Sequence, residues 1–345
     1  MEEQRTEISS LGEFGLIKHL TKELPLLNSE SKLGIGDDAA VIDPKGKQVV
    51  VSTDLLTEGV HFDLMYTPLV HLGYKSIVVN LSDIYAMNAR PTQVTVSIAV
   101  SNRFSVEALD ELYRGIRKAC EIYKVDLVGG DTTSSTGGLT ISVTALGLAS
   151  AEQIVKRSTA KKGDLIVVSG DLGGAYLGLQ VLEREKEVYK SAPQAQPELE
   201  GFNYILERQL KPEARKDIIS HLAEIKVMPT SMIDISDGLA SEALHLATES
   251  GLSAKIYEDK IPLDQQTFDV AREFNLDPTM CALSGGEDYE LLMTITQDDY
   301  EKLKGDPHFT VIGYMAEKDE GHSVILKDGT NTPLQAQGWN SFNEE

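Results

Sequence analysis

Six times along this chain a short apolar run gives way to glycine, serine or threonine and then to an acid. The blocks are LGIGDDAAVI with Asp37 and Asp38, VVVSTD with Ser52, Thr53 and Asp54, VVNLSD with Ser82 and Asp83, LVGGDTT with Asp131 and Thr132 behind Gly129 and Gly130, IDISDGL with Asp234, Ser236 and Asp237, and SGGEDYELL with Glu287 and Asp288. Short β-branched runs bounded by turn residues read as buried strands, and helical spacing of apolar residues between them reads as covering helices. A chain punctuated in this way is expected to be α/β (α+β), with acids delivered at strand ends.

Strands are predicted over 48–52, 77–80, 93–100, 125–128 and 139–148, with a helix over 105–123 that aligns Leu109, Leu112, Ile116 and Ala119. A second unit begins near Ala151, with strands over 165–169, 231–235, 291–295, 311–314 and 323–326. Its helices are expected over 172–185, 201–209 and 239–248, and the polar stretch 187–200 reads as a mobile surface insert. The length of 345 residues exceeds one ordinary core. Two domains are therefore expected, 1–149 and 150–345.

The net charge of −22, from 54 acidic and 32 basic residues, argues against a nucleic-acid or anionic-membrane partner, which recruits Lys and Arg. Only Cys120 and Cys281 occur, at unrelated places, so neither a disulfide framework nor a cysteine zinc site is expected. The amino terminus is polar and acidic, and no apolar run approaches the roughly 20 residues a membrane helix needs. These features predict a cytoplasmic protein.

Singly, each acidic block has an ordinary reading, because Asp, Ser and Gly are the residues of turns and helix N-caps. Six together suggest more. Mg²⁺ takes hard oxygen ligands, usually a few carboxylates with water and substrate phosphate. Carboxylates gathered in a low-dielectric cleft stay ionised together only if cations neutralise them. Glycines beside them let a polyphosphate approach the backbone N–H groups. The sequence has no GxxxxGK[ST] loop, no HRD or DFG set, no GxSxG elbow and no HExxH pair. Phosphate chemistry here would rest on metal-bearing acidic loops.

The blocks GEFGLI, GIGDDAAV, STDLLTEGVHF, NLSDIYAMNARP, VGGDTT, KRSTAKKGD, DISDGL and SGGEDYELL, with a weaker QGWNSF, occur in the order of a known family. On them the chain resembles the thiamine-monophosphate kinase family, of the superfamily that includes aminoimidazole ribonucleotide synthetase. The resemblance implies a two-domain fold with an amino-terminal β-barrel-like homodimer interface and a carboxy-terminal α/β domain. It implies direct γ-phosphoryl transfer from ATP to thiamine monophosphate, with several Mg²⁺ ions, K⁺ as a further cation, and no acid/base side chain. It further implies Asp38, Ser52, Thr53, Asp54, Asp83, Asp131 and Asp234 as metal ligands, with Asp237 serving a further ion. Gly130, Asp131, Arg157, Ser236 and Tyr113 are the implied ATP contacts, and His61, Glu287 and Trp339 the implied substrate contacts. Two positions depart from the family: Asn88 and Thr159 stand where glycine is usual. The alternatives are another ATP-using member of the superfamily, of the aminoimidazole ribonucleotide synthetase or selenophosphate synthetase kind, and a non-catalytic acidic metal-binding protein.

Overall fold

The computed structural model describes residue 6 and residues 10–22, 24–35 and 40–336, with side chains 12–14 excepted. It divides into two compact units, Met1–Ile154 and Val155–Glu345.

Unit 1 runs α1 (Gly12–Thr21), β1 (Ser31–Leu33), β2 (Val41–Ile42), β3 (Gln48–Thr57), α2 (Leu69–Ala86), β4 (Arg90–Val100), α3 (Val106–Tyr123), β5 (Asp126–Ser134) and β6 (Thr140–Ala149). Its main sheet has the order β3-β6-β4-β5; β4 and β5 are parallel and the other pairs antiparallel. Alternation along the strands sends Val94, Val96, Ile98, Ile141 and Val143 to one buried face. That face is covered by α2, and α3 packs on α2 with almost no side chain between the backbones. A Cβ on Gly73 would meet Leu112 O at 2.0 Å, and one on Gly115 would meet Val70 O at 1.9 Å, so glycine is what lets the two helices close up.

The run at 77–80, expected as a strand, lies inside α2. Most of this helix is buried, from Leu72 to Ala86, because the sheet covers one side and α3 another. A helix wrapped by protein loses the one-sided apolar stripe that marks it in sequence, and its β-branched residues then look like a strand. The expected helix over 105–123 forms as α3, with the Ser105 side chain accepting the Ala108 N–H at its start.

Unit 2 runs β7 (Leu165–Ser169), α4 (Gly174–Ser191), α5 (Asn203–Leu210), α6 (Lys216–Glu224), β8 (Ser231–Asp234), α7 (Leu239–Glu249), β9 (Ser253–Tyr257), α8 (Gln265–Glu273), α9 (Pro278–Ser284), β10 (Leu291–Ile295), α10 (Tyr300–Leu303), β11 (Phe309–Ala316), β12 (Ser323–Ile325) and β13 (Asn331–Pro333). Its sheet has the order β13-β12-β9-β11-β7-β10-β8, mostly antiparallel, with β9 and β12 parallel. The core between this sheet and α7 is built from residues such as Ile166, Val168, Ile233, Leu239, Leu246 and Leu292. Part of the expected insert at 187–200 is helical, since α4 continues to Ser191. The remainder is tied back where the Glu185 side chain accepts the Glu198 N–H at 2.8 Å.

Both departures from the family pattern have a local account. Asn88 takes a left-handed φ of 55°, which Asn tolerates best after glycine, and its Nδ2 donates to Gln153 O at 2.9 Å. Thr159 hydroxyl donates to Thr230 O at 2.5 Å, a bond glycine could not make. Cys120 and Cys281 are both buried free thiols. Among the described residues no helix is long and apolar enough to cross a membrane.

Candidate active site

In unit 1, β3 and α2 bring three of the expected ligands together. Ser52 and Asp54 alternate onto the same side of β3, facing α2. Ser52 Oγ donates to Asp83 Oδ2 at 2.5 Å, and the Asp54 backbone N–H donates to Asn80 Oδ1 at 3.0 Å. Asn80 is fully buried, its Nδ2 bonded to Ser76 O at 3.0 Å one turn back in the helix. Asp83 lies near the carboxyl end of a helix and Asp54 inside a long strand, so neither stands at a strand terminus as expected.

Burial and then the neighbouring Asp83 both raise the pKa of Asp54, to about 6. The set of two carboxylates and a hydroxyl is all hard oxygen, crowded enough to oppose its own ionisation. That is the donor chemistry Mg²⁺ requires, and the residues fit it.

The remaining unit 1 residues fall elsewhere. Thr53 points to the opposite side of β3, where its Oγ1 donates to Val143 O at 3.0 Å and receives Thr144 Oγ1 at 3.1 Å. Asp131 pairs with Ser97 across β4/β5, and Ser97 pairs with Ser142, which pairs with Leu55. This row is on the side away from α2, and β5 is three strand spacings from β3, about 14 Å. Within the chain Asp131 is thus not beside Asp54, and it lies within β5 rather than beyond a strand end. Gly130 is needed for packing, since a Cβ there would meet Val96 O at 1.9 Å. Tyr113 is buried in α3, where burial pushes its hydroxyl up to about 12. His61 is exposed, and its Nδ1 accepts the Thr57 N–H at 3.0 Å. A cleft of about 580 Å³, lined by Glu58, Asp63, Ser101 and Arg103 among others, includes none of the Ser52, Asp54 and Asp83 set. Asp38 and Trp339 lie outside the described residues.

In unit 2 two loops interlock. Glu287 N–H donates to Ser236 O at 2.7 Å, Tyr289 N–H to Ile235 O at 2.8 Å, and Ile235 N–H to Glu290 O at 2.8 Å. Gly286, Glu287 and Tyr289 all have positive φ. A Cβ on Gly286 would meet Ser236 O at 2.6 Å, so the close approach demands glycine there. Asp234 is buried at the end of β8 and Asp237 is exposed just before α7. Burial raises the Asp237 pKa, His245 works against that, and Glu287 adds to it. Glu287 accepts a bond from Gln209 Nε2 at 2.8 Å. Arg157 is exposed, on a loop whose Arg157 carbonyl is held by Ser231 Oγ at 3.3 Å and Ser250 Oγ at 3.1 Å.

Sequence reasoning missed Glu242. It is 2% exposed on α7, and its Oε1 accepts the Asp237 N–H at 3.2 Å. Among the described residues its Oε2 has no hydrogen-bond partner. Burial, reinforced by Asp237 and Asp234, pushes its pKa up to about 8. The available signal was an acid five residues beyond Asp237, one turn into the following helix. Asp288, grouped with the acidic blocks in sequence, is instead buried against the start of α4, accepting Gly173 N–H at 2.8 Å.

Residues 36–149 match the AIR synthase related protein, N-terminal domain, and residues 161–325 match the AIR synthase related protein, C-terminal domain, which sets the class to which the fold belongs. The chain is 36% identical to the thiamine-monophosphate kinase of Aquifex aeolicus, covering 97% of this chain and 99% of that one. It is 34% identical to that of Bacillus subtilis, covering 96% and 100%. The solved structure of AaThiL complexed with AMPPCP and TMP superposes with a TM-score of 0.74 at 34% identity, over 99% and 100% of the two chains. The Hydrogenase Maturation Protein HypE in complex with ATP shares the fold, at 19% identity, a TM-score of 0.71 and coverage of 93% and 94%. The chain belongs to the thiamine-monophosphate kinase family, within the AIR synthase related proteins.

Proposed function

We propose that this chain transfers the γ-phosphoryl group of ATP to thiamine monophosphate, giving thiamine diphosphate and ADP. The observation that carries the reading is the meeting of Ser52, Asp54 and Asp83 between β3 and α2, in a chain alike over nearly its whole length to AaThiL, whose solved complex holds AMPPCP and TMP. AMPPCP is an ATP analogue with a carbon between its outer phosphates, and TMP is the acceptor.

In unit 1 Asp54 and Asp83 with Ser52, and in unit 2 Asp234 and Asp237, each offer oxygen ligands that would suit Mg²⁺, which supplies neutralising charge for phosphates that repel one another. The acceptor oxygen is already ionised, so no side chain has to remove a proton. The bond from γ-phosphorus to the bridging oxygen of ADP breaks as the bond to the acceptor phosphate forms, in line and without a phosphoenzyme. Ser52 fixes the Asp83 carboxylate and Asn80 fixes the Asp54 backbone, which keeps the acids in register before substrate arrives. The exposed guanidinium of Arg157 offers a fork for phosphate oxygens. Glu287, oriented by Gln209, suits an aminopyrimidine or a thiazolium charge. His61, Gly130, Ser236, Asp38 and Trp339 complete the proposed contacts, and K⁺ is a proposed further cation.

The working form proposed is a cytoplasmic homodimer that closes β3 into a barrel-like interface. In support, β3 is an edge strand and exposes Val49, Val51 and Leu55 by 46%, 59% and 55% on the side away from α2. Thr53 and Asp131 face that same side.

The test is direct assay of thiamine diphosphate and ADP after incubation with thiamine monophosphate and MgATP. Stoichiometric formation of both supports the reading. Metal binding with neither product refutes it.

A further inference from the structure

The turn between α10 and β11 carries Asp306 and His308, and α6 brings His221 against them. His221 Nε2 lies 2.5 Å from Asp306 Oδ2, and His308 Nδ1 lies 2.9 Å from Asp306 Oδ1. Two imidazoles thus present one nitrogen each to opposite oxygens of a single carboxylate. We propose that His221, Asp306 and His308 form a second metal site in this protein, selective for a borderline divalent ion of the Zn²⁺ kind, that clasps α6 to the β11 turn.

Three observations support it. First, the donor set is two imidazoles and one carboxylate, which suits Zn²⁺, Co²⁺ or Ni²⁺ and not the all-oxygen preference of Mg²⁺. Second, the His221 ring is held in place. His221 stacks on Phe309 with centroids 5.8 Å apart and planes 11° apart, and the two histidine rings are 5.1 Å apart. Third, Glu224 Oε2 lies 3.8 Å from the other nitrogen of His221, so a carboxylate charge stands behind the ring at ion-pair rather than hydrogen-bond distance.

The three donor atoms lie within 4.8 Å of one another. Ligands about 2.0–2.1 Å from one tetrahedral ion stand about 3.3 Å apart, so the nitrogen–carboxylate pairs at 2.5 and 2.9 Å open slightly and a small turn of the His308 ring completes the site. His308 is exposed and can make that turn. Three protein ligands leave a fourth position for water. On binding, the hydrogen bonds that link the two imidazole nitrogens to Asp306 give way to bonds to the metal.

The test uses the untagged full chain with excess Mg²⁺ to fill the acidic sites. Titration with Co²⁺, read by its visible absorption and then displaced by Zn²⁺, is expected to show one saturable equivalent per chain. His308→Ala should weaken that equivalent at least 10-fold while Asp54→Asn leaves it unchanged. Zn²⁺ should also raise the thermal midpoint of the parent chain and not of His308→Ala. Because His308 is exposed, this variant folds, and His221→Gln serves as the second variant. No saturable equivalent in the parent chain, equal binding in His308→Ala and His221→Gln, or loss of the equivalent in Asp54→Asn would each overturn the proposal.

Discussion

Asp54 in unit 1 and Glu290 in unit 2 are both acids inside folded protein, and the chain treats them in opposite ways. Glu290 is 1% exposed, yet Arg208 donates to its Oε1 at 2.8 Å, Arg215 donates to its Oε2, and Ser169 Oγ donates to Oε2 at 2.5 Å. Burial works to lower the Arg208 pKa, but Glu290 and Asp288 outweigh it, so the guanidinium stays charged. Asp54 instead has Asp83 for a neighbour, and burial and that neighbour act in the same direction on it. A buried acid matched by the chain's own cations is scaffold. An acid crowded by another acid is left for a cation brought from outside, and it costs stability until that cation arrives.

The largest expected effect is on the matched side. Glu290→Ala removes the acid that Arg208 and Arg215 share, leaving them Asp288 and Asp217, and should cost about 3–5 kcal/mol of stability, read from the denaturant midpoint. A loss below about 1 kcal/mol would erase the distinction. On the unmatched side, Asp54→Asn should lower the rate of thiamine diphosphate formation about 10²–10³-fold. Its thermal midpoint without divalent ions should hold or rise, because a repelling charge is gone. Full activity, or a collapse in stability like that of Glu290→Ala, would place Asp54 in the scaffold.

Asp288 sharpens the contrast through pH. Burial pushes its pKa up from 3.8 to about 6, although Arg208 and two backbone N–H groups pull the other way. The folded acid therefore holds its proton more tightly than the unfolded one. Between about pH 4 and pH 6 the native state binds more protons, so this group's contribution to stability falls as pH rises. A shift of that size corresponds to about 3 kcal/mol. Asp288→Asn should remove this part of the decline from stability curves taken across that range, and an unchanged slope would count against it.

Much of this organisation could be read before any coordinates. The run over 165–169 is β7 residue for residue, 291–295 is β10, and the α3 periodicity held. These elements have one clear pattern because one kind of surface covers them. The 77–80 run misled because α2 is enclosed on more than one side, which removes the period that distinguishes helix from strand. Strand order was also invisible. LVGGDTT and VVVSTD look alike in sequence, yet register puts Asp131 and Asp54 on opposite faces and opposite edges of one sheet. Arg208 and Arg215 gave no signal because a compensating arginine has no motif, only a position in space.

Glu242 is the case that tests where the dividing line falls. Like Glu290 it is buried in unit 2, and like Asp54 it has acids nearby, Asp237 and Asp234, which raise its pKa together with burial. Its hydrogen bond from the Asp237 N–H needs only an oxygen acceptor. With a pKa of about 8 the carboxyl is mostly neutral at pH 7 in protein without divalent ions, so glutamine reproduces its shape, its acceptor and its charge. Glu242→Gln should therefore change stability by less than about 1 kcal/mol, whereas Glu242→Ala loses the acceptor and opens a small void for about 1–3 kcal/mol. If Glu242 only positions the Asp237 loop, the Gln variant should keep thiamine diphosphate formation within a few-fold of the parent chain, with the KM for MgATP little changed. A loss as deep as that of Asp54→Asn, at unchanged stability, would mean that the Oε2 oxygen is needed ionised. Glu242 would then stand with Asp54 among the acids that wait for a cation.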